Sequence, residues 1–226
     1  MRAPLSIIIP TLNASAVLPD TLAALMEGVE AGVVRELILS DGGSEDGTCA
    51  LADQAGARIV TGPPGRGGQI ARGVAAASGG WLLILHADTH LAPGWSGAVL
   101  AHMAGDRAGY FRLRFRARGL APRLVAGWAN LRARLFSLPF GDQGLVLPRV
   151  LYDAVGGMPE LPLMEDVAMA RALRGQLVAI PCEARTSAAR FQHLGWLRGG
   201  ARNLWTLLRY ALGADPEVLA RAYSRR

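Results

Sequence analysis

Six short stretches of this 226-residue chain hold side chains that could act together on one ligand. Three of them, Pro10-Thr11-Leu12-Asn13, Asp41-Gly42-Gly43-Ser44-Glu45-Asp46-Gly47-Thr48 and His86-Ala87-Asp88-Thr89, each follow a short apolar run. Gly65-Arg66-Gly67-Gly68 is a glycine-rich loop bearing one guanidinium, Glu165-Asp166 is a carboxylate pair, and Arg190 stands three residues from the imidazole of His193. Asp88 offers the hard oxygen donors that Mg2+ or Mn2+ takes, and such an ion bridging phosphates stabilises a departing diphosphate. Arg66, set between glycines at a helix start, suits phosphate, which pairs bidentately with guanidinium and sits well on free helix N–H groups. Asp41 can accept the imide N–H of a uracil ring or the amino group of a guanine.

Each of these residues also has a purely structural reading. Asp-Gly-Gly is turn chemistry in any fold, and Ser44 and Asp46 suit the cap of the helix that follows. Asp88-Thr89 precedes Pro93 and a helical stretch, where a carboxylate is a natural cap. His86 can approach a ribose, ligate a metal with a tilt towards Mn2+ or another transition metal, or simply end a strand. Two carboxylates at a helix start, such as Glu165 and Asp166, are favoured by the helix dipole alone. A lone histidine like His193 is more often structural than a ligand.

Elements able to bring these stretches together are visible in the apolar patterning. Leu5–Ile9, Leu37–Leu39, Arg58–Val60 and Trp81–Leu85 read as strands, mostly continuous in character, as in parallel strands buried on both faces. Residues Val17–Ala31, Gly47–Ala55 and Gln69–Ala77 between them have helix composition. Alternating strands and helices predict an α/β, Rossmann-like, mostly parallel sheet flanked by helices. Ligands of such sheets bind at the carboxyl ends of the strands, where the polar clusters fall. In the second half, Phe111, Leu113 and Phe115 alternate with arginines, the period of a half-exposed strand. Leu120–Phe136 and Leu163–Arg174 read as helices. Leu197–Leu212 is an amphipathic C-terminal helix with Leu197, Ala201, Leu204, Leu208 and Leu212 on one face, expected to pack on the rest of the domain. The whole of 1–226 reads as one domain, 1–105 binding nucleotide and 106–226 forming an acceptor half.

Ile7-Ile8-Ile9-Pro10-Thr11-Leu12-Asn13, the Asp41–Thr48 turn, His86-Ala87-Asp88 in place of an Asp-x-Asp motif, and Glu165-Asp166 opening a helix together resemble the inverting family 2 glycosyltransferases of GT-A fold. The likeness is greatest to a small bacterial subgroup, associated with radical-SAM and selenium-related genes, that shares the His-Ala-Asp variant, Gly141-Asp142-Gln143-Gly144 and Met164-Glu165-Asp166. It covers nearly the whole chain. The resemblance implies transfer of a sugar, with inversion, from a UDP- or GDP-linked donor. It implies Pro10, Thr11, Asn13, Asp41, Arg66, His86, Ala87 and Arg190 around the nucleotide. Asp88, with His86 and His193, would hold a divalent metal, and Asp166 would be the general base beside the acid Glu165. The sequence departs from the family's pattern at Gly42, where a second aspartate is usual, and at Ile70 and Ala71, where the usual Arg and Asn fall.

Composition narrows the alternatives. No lysine occurs, which excludes a Walker phosphate loop, a protein-kinase ATP lysine and Schiff-base chemistry. The net charge is +6, and no acidic residue lies between Asp106 and Asp142 or between Glu183 and Asp215. Such blocks suit an anionic partner. Nucleic acid is not expected, because stacking aromatics are not interleaved with the arginines and no recognition motif is present. A sugar nucleotidyltransferase and a catalytically silent nucleotide-binding protein on the same fold are the rival readings. The acceptor could be a small molecule, a saccharide or a lipid-linked group. The apolar stretch Leu5–Ile9 ends at Pro10, too early for a secretory signal, so the expected location is cytoplasmic, with a peripheral contact on the inner face of the membrane as a variant.

Overall fold

The computed structural model describes residues 3–224. Its centre is an eight-stranded sheet of order β3-β2-β1-β4-β7-β6-β8-β5. Strand β1 (Leu5–Thr11) is flanked by β2 (Val34–Asp41) and β4 (Trp81–Ile84), with β3 (Arg58–Thr61) beyond β2, and these pairings are all parallel. Leu5, Ile7, Ile8 and Ile9 are buried together because helices cover both faces of β1. The helices are α1 (Leu18–Glu30), α2 (Thr48–Gln54) and α3 (Arg66–Ala76). One core lies on the α1 and α2 side, around Leu5, Ile7, Ile9 and Trp95, and another on the α3 side, around Ile8, Ile70 and Val74.

The second half completes the sheet in mixed sense. Strand β5 (Thr89–Leu91) and helix α4 (Trp95–His102) lead to β6 (Ala108–Phe115), whose Phe111, Leu113 and Phe115 are buried while Arg112 and Arg114 are exposed. Strand β7 (Leu145–Pro148) is antiparallel to both β4 and β6, and β8 (Leu177–Thr186) is parallel to β6. Strands β1, β4, β6 and β8 therefore run in one sense and end at one edge. Helix α5 (Leu120–Phe136) follows β6, and α6 (Arg149–Ala154) and α7 (Glu165–Ala172) precede β8. Helices α8 (Ala189–Leu194), α9 (Trp196–Ala211) and α10 (Pro216–Ser224) follow it. This is the GT-A arrangement: a curled, mostly parallel α/β sheet with helices on both faces and a helical C-terminal segment.

One expectation is overturned by the packing of α9. Its leucine face does not lie on the domain: Leu197 is 86% exposed and Leu212 80%. The buried positions are Gly199 and Thr206, on the opposite side of the helix. A β-carbon on Gly199 would stand 2.8 Å from the Phe191 ring, which stacks on Trp196 against Phe115. Glycine lets the backbone rest on this aromatic cluster, and Trp196, Leu207 and Tyr210, not the leucine face, supply the helix's apolar packing.

Candidate active site

At the common edge of β1, β4, β6 and β8 lies an open cleft of about 740 Å³, in the size range of small-ligand sites. It is lined by Pro10, Thr11 and Asn13 after β1, by Arg66 at the start of α3, and by His86, Ala87 and Asp88 after β4. Gly141, Asp142, Glu165 and Asp166 face it from the second half, and Arg190 and Tyr223 from the C-terminal helices.

Asp41 does not join them. It is buried behind Thr11 and is not among the lining residues. Its Oδ1 accepts from Thr11 Oγ1 at 2.9 Å and Ser44 Oγ at 2.5 Å, and its Oδ2 from the N–H groups of Gly43 at 2.8 Å and Ser44 at 2.7 Å. Burial pushes this carboxyl up, but the bonds from Ser44, Gly43 and Thr11 together hold it below its ordinary value. Its acceptor capacity is thus spent on the turn. Ser44 is no helix cap: besides meeting Asp41, its hydroxyl accepts the Asn13 N–H at 2.8 Å. The cap position of α2 is Gly47 in the left-handed region, and Asp46 binds Thr48 and Ser15 from outside it. Asn13, at φ 50°, accepts the Glu45 N–H at 2.9 Å, which completes the lacing of the two loops.

Glu165 is also committed within the protein. It is 2% exposed and its Oε1 meets Arg66 Nη1 at 3.0 Å. Burial and the neighbouring Asp166 push its carboxyl up, opposed by the Arg66 guanidinium. Asp166 lies half-buried, its Oδ2 accepting the Gly141 N–H at 2.9 Å and its Oδ1 the Val167 N–H at 2.7 Å. Both carboxylates start α7 behind Met164, which holds φ 68° although it is not glycine. Backbone strain of this kind persists where the surroundings over-determine it; here buried Met164 packs with Val167 and Leu219.

His86 is enclosed. Burial and the charge of Arg66 hold its imidazole down to about 3, so it is neutral near pH 7. The backbone of Gly141 lies against the ring, leaving no room there for a side chain. Asp88 lines the cleft half-buried, its only side-chain partner among the described residues being the neighbouring Thr89 hydroxyl at 3.5 Å. His193 is exposed on α8 and does not line the cleft. Among the described residues no three His, Cys, Asp or Glu side chains converge as a ready metal cage. Arg190 lies over the Tyr223 ring, 4.2 Å from its centroid.

Two residues left unassigned by spacing and composition belong to this site. Gln69 is buried and donates to the carbonyls of Thr11 at 2.7 Å and Ser40 at 2.9 Å, tying α3 to the ends of β1 and β2. Asp142 faces the cleft from a short 3-10 turn (Gly141–Gln143), its Oδ1 buried without a partner among the described residues. Burial, with Asp166 and Asp88 nearby, outweighs Arg132 and raises its carboxyl to about 6. Asp142 stands in the Gly141-Asp142-Gln143-Gly144 segment, but sequence pattern alone gives neither residue a role; assembly of the fold brings both to the cleft.

The sheet order, the cleft at its carboxyl edge and the carboxylates across it define a GT-A domain. Residues 6–137 match the glycosyl transferase family 2 model, and the chain belongs to that family. A PGL/p-HBAD biosynthesis glycosyltransferase of Mycobacterium tuberculosis is 41% identical over 99 residues, 40% of this chain and 38% of that protein. The chain therefore matches about two fifths of the length of this curated relative. Among solved structures, glucosyl-3-phosphoglycerate synthase from Mycobacterium tuberculosis, in complex with Mn2+, UDP and glucosyl-3-phosphoglycerate, superposes with TM-score 0.62 at 22% identity, covering 92% of this chain and 79% of that one. TarS of S. aureus gives 0.61 at 15% identity, covering 96% and 41%. At such identities the likeness is one of fold.

Proposed function

We propose that this chain is an inverting glycosyltransferase that moves a sugar from a nucleoside-diphosphate sugar to an acceptor hydroxyl. The observation that carries this reading is the pairing of two carboxylates on one cleft: Asp88 at the end of β4, free of strong partners, and Asp166 at the start of α7, oriented by Gly141. In this reading residues 1–226 act as one catalytic domain. A uridine donor is the first to test, since the synthase above was solved with UDP and Mn2+; GDP sugars come next.

Asp88 fits a divalent ion shared with the donor, because one carboxylate plus substrate phosphates and water is an ordinary coordination set for Mg2+ or Mn2+. Bound there, the ion would neutralise charge on the departing diphosphate. Arg66, fixed by Glu165, presents its remaining N–H groups to the same phosphates, and Arg190 faces them from α8. Pro10, Thr11, Asn13 and Ala87 form the wall for the base and ribose, with Asp41 shaping that wall from behind. Neutral His86 can donate or accept one hydrogen bond beside them. Asp166 accepts the acceptor hydroxyl's proton as its oxygen bonds to the anomeric carbon, and the bond from that carbon to the diphosphate oxygen breaks with its electron pair leaving on the nucleotide.

The test is donor turnover: purified protein, Mn2+ or Mg2+, a panel of nucleotide sugars, and detection of released UDP or GDP. Metal-dependent release lost in Asp88→Ala, with Asp166→Asn still binding UDP but not turning over, is the expected result. No binding of any nucleotide with metal would overturn the reading. Binding with no turnover for any donor or acceptor would favour the silent protein, a reading raised by His86 and Gly42 standing where the family usually has aspartates.

A further inference from the structure

Two helices of the second half turn apolar stripes to the outside. On α5, Leu120, Leu124, Trp128, Leu131 and Leu135 are all between 46% and 76% exposed. At about 100° per residue they fall within a sector of roughly 80°, opposite the buried Pro122, Ala126 and Ala129. On α9, Leu197, Leu204, Trp205, Leu208 and Leu212 are between 47% and 86% exposed and form a similar sector. With Phe136, these side chains make eleven of the seventeen large exposed hydrophobics among the described residues. Apolar surface gathered on two elements in this way marks an interaction site rather than the normal scatter.

The stripes adjoin, since Trp128 of α5 and Leu204 of α9 line one crevice between the helices. Each is edged by arginines placed eleven residues, three helical turns, apart: Arg123 and Arg134 on α5, Arg198 and Arg209 on α9. Neither helix contains an acidic residue. The crevice shares Phe115, Phe140, Asp142, Phe191 and Asn203 with the active-site cleft, so the two adjoin. Arg132, 7% exposed, lies in its wall with one guanidinium nitrogen unpartnered.

We propose that α5 and α9 form a platform that docks on an anionic phospholipid surface, leucines and tryptophans entering the acyl boundary and arginines meeting the headgroups. Charge selects this occupant. A second copy of the chain would bring arginine edge against arginine edge with no carboxylate between them, whereas an anionic bilayer neutralises both and takes up the aromatic and aliphatic side chains. Docked in this way, the chain would bring the bilayer beside the cleft that holds Asp142 and Asp166, on the side where an acceptor with a lipid tail would arrive. The platform stands independently of the donor chemistry, and nucleotide binding measured without vesicles keeps the two readings apart.

The experiment is sedimentation of the full chain with vesicles at about 0.1 M salt, comparing neutral phosphatidylcholine with the same lipid containing phosphatidylglycerol. Binding is expected to the anionic vesicles, at least tenfold weaker to the neutral ones. Leu204→Glu/Leu208→Glu and Leu124→Glu/Leu131→Glu should each weaken it at least tenfold, with unchanged circular dichroism because these side chains are exposed. Arg123→Ser and Arg198→Ser, which leave the apolar stripes intact, should each weaken it roughly fivefold. Absence of binding to anionic vesicles, binding indifferent to all four variants, or a solution dimer dispersed by the leucine variants without any vesicle binding would each overturn the proposal.

Discussion

Arg66 and Glu165, ninety-nine residues apart in the chain, meet in an ion pair of 3.0 Å that joins the start of α3 to the start of α7. Glu165 is almost wholly buried and its adjoining carboxylate, Asp166, faces the cleft. Neighbouring acids in one motif thus have different surroundings. Glu165→Gln keeps an acceptor for Arg66 but removes the charge. It is expected to raise the KM for donor about tenfold with a smaller fall in kcat, while Asp166→Asn lowers kcat by about 10²–10⁴-fold and leaves nucleotide binding intact. Steady-state kinetics with calorimetry of UDP binding separates the two.

Gly141 is held between His86 and Asp166, the proposed base. A β-carbon there would lie 2.5 Å from His86 Nε2 and 3.6 Å from Asp166 Oδ2. Gly141→Ala must push His86 aside or move the turn whose N–H orients Asp166. A loss of about 100-fold in kcat is expected, because small misplacements of catalytic groups are costly, with about 1–3 kcal/mol of destabilisation from overpacking. Equal activity of Gly141→Ala and the unmodified protein would show that the Gly141–Asp166 bond does not set the base.

Asp142 supplies a pH test with a definite sign. Its carboxyl is raised in the folded protein to about 6 from an ordinary 3.8, so the fold prefers its protonated form. Stability from this group is present below about pH 4 and lost as pH rises through 6. Asp142→Asn removes the buried charge, and should stabilise the protein at pH 7.5 by up to about 3 kcal/mol. The gain should shrink to nothing near pH 4. Thermal unfolding of both proteins across that range reads the difference, and a gain independent of pH would sink the assignment.

Asp41 has the opposite sign. Its carboxyl is held below the ordinary value by four donors, so its stabilisation is present above about pH 4 and lost as pH falls through the folded-state value. Asp41→Asn places an amide N–H2 towards N–H groups of the turn and should cost about 3 kcal/mol, lowering Tm by roughly 6–12 °C in a chain of this size. Denaturant unfolding at pH 7 and below pH 4 would show the gap closing in acid. A variant as stable as the parent at pH 7 would mean that the lacing of Asn13, Ser44 and Asp41 is dispensable.

What the chain determined by itself was its local structure and the order of its parts. Short continuous apolar runs such as Leu5–Ile9 and Trp81–Leu85, alternating with helical stretches, suit strands covered on both faces, and the polar clusters behind them then fall at one edge of a parallel sheet. The alternation of Phe111, Leu113 and Phe115 with arginines likewise describes a strand with one wet face. These are patterns of period, and period survives in one dimension. Tertiary structure alone decided which polar groups stayed free. Asp41 and Asp88 look alike in sequence, each an aspartate after a strand, yet four donors surround one and the other keeps its oxygens for the cleft. Glu165 and Asp166 are given different surroundings by a single residue's rotation about α7 and by the arrival of Arg66. The leucines of α9 have the spacing of a packing face, but close backbone contact at Gly199 turns the helix the other way and leaves them outside. A hydrogen-bond partner or an aromatic ring brought from far along the chain carries no periodic trace, and for that reason these allocations appear only once the chain is folded.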